Sequence, residues 1–82
     1  MKVRRRLVER IDPLWLNQRI GMKLRALRKS RGLTLAEVGI GLGVSRAAVN
    51  NWELAKHQSG FLLATLYNLA LFYRVPPKSL LP

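Results

Sequence analysis

The sequence contains no cysteine, one histidine and four acidic residues among 82. The first absence excludes a disulfide staple, a thiolate metal site and a cysteine nucleophile, and makes a cytoplasmic protein the natural expectation. The scarcity of His and carboxylates leaves no pair or triad spaced for acid, base or nucleophile, so no enzyme, metal or cofactor is expected. Long apolar runs are lacking too: the longest, Phe61 to Phe72, is broken by Thr65 and Asn68 and falls short of the roughly 20 residues a membrane span needs. Asp12, Asn17, Gln18, Arg19, Lys23 and Arg25 interrupt Ile11 to Leu27, so the basic start is not followed by the apolar stretch of a secretory signal. No alternation of apolar and polar residues argues for a strand, and no internal repeat is present.

What is abundant is positive charge. Fifteen Lys and Arg give a net charge of +11 and a pI near 11.7. So much charge on a chain with room for one small core repels itself unless a polyanion neutralises it. An apolar content of 49% argues against disorder. The charge is also uneven. Up to Arg31 there are eleven basic residues against Glu9 and Asp12, a net +9, whereas the remainder carries +2. Residues 1–11, with Arg4, Arg5 and Arg6, read as a basic arm that tracks phosphates, and residues 12–82 as one folded domain.

Helix signals order that domain. Asp12-Pro13 starts a helix, since Asp accepts from orphan amides and Pro fits the first turn. Leu16, Ile20, Leu24 and Leu27 form its apolar stripe to about Ser30, before Gly32. Gly21, inside it, costs about 1 kcal/mol relative to Ala and permits close packing. Thr34-Leu35-Ala36-Glu37 has the form of a capping box and opens a second helix ending near Leu42. Gly43 offers the left-handed residue that ends it, Val44 drops into the core, and Ser45 caps a third helix to about Ala55. That helix places Val49, Trp52 and Glu53 on one side and Ala47, Asn50, Asn51 and Leu54 on the other. A loop with Ser59 as a candidate cap leads to a fourth helix over 61–73, which Pro76-Pro77 stops before a final turn that folds Leu80 and Leu81 back onto the core.

Residues 35–54 therefore read as two short helices joined through Leu42-Gly43-Val44, the form of a helix-turn-helix, with Gly39 at the closest approach. Val38, Leu42, Val44, Val49 and Trp52 would hold the pair onto the other helices. The sequence resembles the lambda repressor and Cro family over Ile20 to Leu81. The resemblance is carried by Ile20-Gly21-x-x-Leu24-x-x-Leu27-Arg28, Gly32-Leu33-Thr34-x-x-Glu37-Val38, Leu42-Gly43-Val44-Ser45, Val49-x-x-Trp52-Glu53, and Leu69-Ala70 through Val75 to Leu80. It implies an all-α, compact bundle of about five short helices and a transcriptional regulator, most simply a repressor. The implied partners are double-stranded operator DNA, read through helix 45–55 at an inverted repeat, and a second copy in a homodimer.

The resemblance also implies site residues. Base-reading positions fall on Arg46, Ala47 and Asn51, with Asn50 beside them; Arg suits guanine, Asn adenine, and Ala a thymine methyl. An ion pair joining the first and third helices maps onto Arg28 and Glu53. The family commonly has Gln at the start of helix two, where this chain has Leu35, so that phosphate contact passes to the backbone amides there or to Arg31. Ser45, Lys56 and His57 are further phosphate candidates. Two residues after Trp52-Glu53, where the family commonly has Gly, this chain has Ala55. Metal and cofactor are not implied, and 82 residues leave no room for a sensor module.

The fourth helix is apolar on nearly all sides. Leu62, Leu66, Leu69, Ala70 and Tyr73 form a core stripe, and Leu63, Tyr67 and Leu71 a second one beside it. Leu63, Tyr67, Leu71, Leu80 and Leu81 are therefore the expected dimer interface. Two alternatives remain at this stage: cover by Val3, Leu7, Val8, Ile11 and Trp15, or use of helix 61–73 by a protein partner, as in an antitoxin or adaptor.

Overall fold

Among the residues the structure describes, three of the four α-helices open on a side-chain cap. In the computed structural model, which describes residues 12–57 and 60–82, the carboxylate of Asp12 accepts from the amide of Leu14 at 3.0 Å and α1 runs Pro13–Ser30. The capping box forms: Thr34 Oγ1 accepts from the Glu37 amide at 3.1 Å and Glu37 Oε1 accepts from the Thr34 amide at 2.8 Å, opening α2, Leu35–Leu42. Hydrogen bonding from Thr34, by its amide first and then by its side chain, holds the Glu37 carboxyl below the usual carboxylate range. Ser45 Oγ accepts from the Ala48 amide at 3.0 Å and opens α3, Arg46–Glu53. α4 spans Leu63–Tyr73, and a 3-10 turn spans Pro77–Leu80.

Among the described residues, then, regular structure is helical throughout: four α-helices and a 3-10 turn, rather than about five helices. α3 stops at Glu53, short of Ala55, and α4 starts at Leu63, with Leu62 as its N-cap and 73% exposed rather than in the core stripe. The basic arm expected at 1–11 and the cap expected at Ser59 lie outside the described residues. No described helix is long and apolar enough to cross a membrane.

Ile20 and Leu24 of α1, Val38 of α2, Val49 of α3, Leu69, Ala70 and Tyr73 of α4, and Leu80 of the turn form one buried cluster. Leu42 and Trp52 pack against it half-buried. Val44, expected in the core, lies at its rim, 36% exposed in a pocket with Leu42, Trp52 and Leu69. Leu80 is fully buried and so belongs to the core, not to an interface; the turn after Pro77 folds it inward.

Two glycines set the spacing. A Cβ on Gly21 would lie 2.6 Å from the carbonyl oxygens of both Trp52 and Glu53, so only glycine lets α1 lie against the end of α3. A Cβ on Gly39 would lie 2.8 Å from the carbonyl oxygen of Val44, where α2 meets the turn. The exit of α3 is tighter than its sequence favours. Ala55 adopts φ 56°, the left-handed conformation that glycine adopts freely, and the Lys56 amide donates to the Asn51 carbonyl at 2.9 Å.

These contacts set two expectations for urea unfolding. Gly21→Ala should destabilise by about 2 kcal/mol through overpacking against backbone, whereas Ala55→Gly should stabilise by about 1 kcal/mol by relieving the left-handed alanine. A neutral Gly21→Ala would show that α1 does not lie against α3 as described.

Candidate nucleic-acid interface

The surface that sequence singles out is assembled at the N-terminal ends of α2 and α3. Leu35, Ser45, Arg46, Ala47 and Asn50 line one open depression of about 510 Å³. Arg46 also lines the neighbouring one, with Arg28, Leu33, Thr34, Leu35 and Ala36. Arg46, Ala47 and Asn51 are exposed and Asn50 is half-buried. Both helix starts on this face present main-chain amides and the positive end of a dipole, an arrangement that attracts anions.

Arg28 fixes the pose of this face. Its Nε donates to Glu53 Oε2 at 2.7 Å and its Nη2 to Glu53 Oε1 at 3.0 Å, so the ion pair expected between the first and third helices is a two-pronged one. Nη1 donates to the carbonyl of Leu33 at 3.0 Å, just before α2. The Glu53 hydrogen bonds raise the pKa of Arg28 against the opposing effect of burial. Nearby Tyr73, buried in the core, has its phenol pushed up to about 12, first by burial and then by the charge of Glu53.

Other expected residues are placed differently. Both ring nitrogens of His57 are buried and its ring packs edge-on against Phe61 with centroids 4.5 Å apart, so His57 is not presented to a phosphate. Arg31 Nη2 donates to the Tyr73 carbonyl at 2.8 Å and Nη1 to Ser30 Oγ at 3.1 Å; its guanidinium serves the end of α4. The hydroxyl of Ser45 is engaged in its own cap. Lys56 is exposed after α3, and Arg4, Arg5 and Arg6 lie outside the described residues. Leu35, half-buried, lines the same depression as Ala47, a relation across a turn that helical periodicity alone does not reveal.

Leu63, Tyr67, Leu71 and Leu81 are exposed at 70%, 51%, 75% and 45%, away from the core. Leu71 continues into a groove with Gly41, Leu42, Asn68 and Phe72, so the apolar face of α4 extends onto α2. Ile40, at 81% exposed, was not singled out by sequence because α2 is apolar along most of its length.

Two short helices joined by a glycine turn, held on a longer helix and exposing polar residues at their starts, define a helix-turn-helix protein of the lambda repressor-like class. A model of the helix-turn-helix domain matches residues 19–77, and the chain belongs to that family. No curated protein matches it. Among solved structures, the DNA-binding domain of BldD from S. venezulae is 32% identical, with a TM-score of 0.71 over 82% of this chain and 97% of that one. The P22 c2 repressor, solved with a synthetic operator, is 30% identical, with a TM-score of 0.69 over 78% of this chain and 94% of that one. The restriction-modification controller protein C.AhdI from Aeromonas hydrophila is 25% identical, with a TM-score of 0.70 over 78% and 94%. The fold is thus that of DNA-binding transcription regulators.

The fork between Arg28 and Glu53 gives a direct test. Glu53→Ala should destabilise by about 3 kcal/mol, because it leaves a largely buried guanidinium without its partner. A double-mutant cycle with Arg28→Met should show the double variant losing much less than the two single losses together. Additive losses in urea unfolding would mean that the pair does not couple α1 to α3.

Proposed function

We propose that this protein is a sequence-specific transcriptional regulator that acts in the cytoplasm as a repressor, binding a palindromic operator as a homodimer with α3 in the major groove. The observation that carries the reading is the single face that gathers Leu35, Ser45, Arg46, Ala47 and Asn50 at two helix starts. Arg46 and the pair Asn50 and Asn51 supply the donor and acceptor sets that distinguish base pairs, each good contact being worth about 1 to 3 kcal/mol of discrimination. Main-chain amides at Leu35, together with Lys56 and the arm residues Arg4, Arg5 and Arg6, supply phosphate contacts that position without choosing. The likeness to a repressor solved on an operator supports repression, since occupancy of a promoter needs no further surface.

The second copy is supported by α4. Leu63–Tyr73 carries no charged residue and exposes Leu63, Tyr67 and Leu71. Two molecules of net charge +11 repel except where an uncharged apolar face can be covered.

Two measurements test this. Selection from a random duplex pool is expected to return an inverted repeat with half-sites about 34 Å apart. Arg46→Ala should then relax one base position, whereas Arg5→Ala should weaken all sequences alike and flatten the salt dependence. A pool that enriches no sequence would reduce the protein to a general polyanion binder. In sedimentation, the wild type should be a dimer and Leu63→Glu with Leu71→Glu a folded monomer. A monomeric wild type would reject the dimer and favour a protein partner on α4.

A further inference from the structure

We infer that Leu35 and Ala47 form an apolar notch that reads the C5-methyl group of a thymine beside the base pair contacted by Arg46. The inference rests on the proposed placement of α3 in the major groove and adds a specificity-determining residue, Leu35, from the helix that precedes it.

The depression at the two helix starts has five lining residues, and their chemistry divides it. Ser45 has its hydroxyl committed to the Ala48 amide at 3.0 Å, so its side chain is tied to the backbone. Arg46 and Asn50 are the polar groups that remain. Leu35 and Ala47 are its apolar lining. Leu35 is half-buried and packed against the core, which limits its rotamers and makes it a fixed wall rather than a mobile one. Ala47 is exposed and short, so the wall of Leu35 is not hidden behind it.

A side chain without donor or acceptor has nothing to offer a phosphate, so the side chain of Leu35 has a different use from the amide on the same residue. In the major groove the apolar feature of a base edge is a methyl on C5, and it belongs to thymine in unmodified DNA. The charge of Arg46 at the same depression favours the electronegative edge of guanine. The arrangement therefore suits a guanine pair read by Arg46 with a thymine methyl seated against Leu35 and Ala47. Burial of one methyl group is worth about fourfold in affinity.

The test uses the full chain and the duplex recovered by selection. The guanine whose preference Arg46→Ala relaxes marks the position, and deoxyuridine replaces each neighbouring thymine in turn, removing the methyl and nothing else. The wild type should bind one uracil-substituted duplex about fourfold more weakly. Leu35→Gln, with its fold checked by circular dichroism, should shrink that ratio toward one, leaving only the share of Ala47. A structural role for Leu35 would weaken both equally and leave the fourfold ratio intact, which would overturn the assignment. A wild-type ratio of one at every neighbouring thymine would overturn it as well. So would a gain in affinity on methylating cytosine without any thymine effect, since the methyl would then come from 5-methylcytosine. Failure to enrich any sequence overturns the regulator reading itself, a result distinct from enrichment without a methyl effect.

Discussion

The crossing of α1 over the end of α3 is the constraint on which the rest depends. The missing side chain at Gly21 lets α1 approach the carbonyls of Trp52 and Glu53, and at that distance Arg28 reaches both oxygens of Glu53. The same guanidinium holds the Leu33 carbonyl, so one side chain ties the scaffold helix to the end of α3 and to the entry of α2. A cation at the carbonyl end of α3 also complements its dipole. Gly39 then sets how closely α2 lies on the turn. Short helices of this kind have little stability alone, and their relative pose is what makes two N-terminal ends into one surface.

Charge and geometry divide the work of that surface. The excess of +9 up to Arg31 supplies attraction to any polyanion, and attraction of this kind says little about sequence. The part from α2 onward is nearly balanced. There Arg46, Ala47, Asn50 and Asn51 stand on a short rigid helix whose buried edge is Val49 and Glu53. A base-reading group must be held within a fraction of an ångström, and the buried ion pair serves that precision more than net stability.

Much of this was legible in sequence where the signal is local. The Asp12-Pro13 start, the Thr34 to Glu37 box, the glycine at 43 and the Ser45 cap are short-range hydrogen-bond chemistry, and each forms. The Arg28 and Glu53 pair came from resemblance, and no local rule yields it across 25 residues. Tertiary placement was harder. Val44 lies at the rim of the core instead of inside it, because turn geometry and not hydrophobicity decides where it points, whereas the final turn folds Leu80 onto the core as its sequence suggests. His57 reads as a phosphate candidate because a loop histidine carries no sequence mark of the aromatic ring packed against it. Ala55 occupies a left-handed position without glycine, since the packing of α3 against α1 over-determines its exit.

On the proposed function, the start of α2 and the outward side of α3 form the surface that meets DNA. Backbone amide shifts followed by nuclear magnetic resonance during titration with the selected duplex test it most directly. The largest changes are expected at Leu35, Ala36, Ser45, Arg46, Ala47, Asn50 and Asn51, with the amides of Leu69 and Ala70 in the core little moved. Changes gathered instead on the basic side of α1, at Arg19, Lys23 and Arg25, with α3 unmoved, would contradict it.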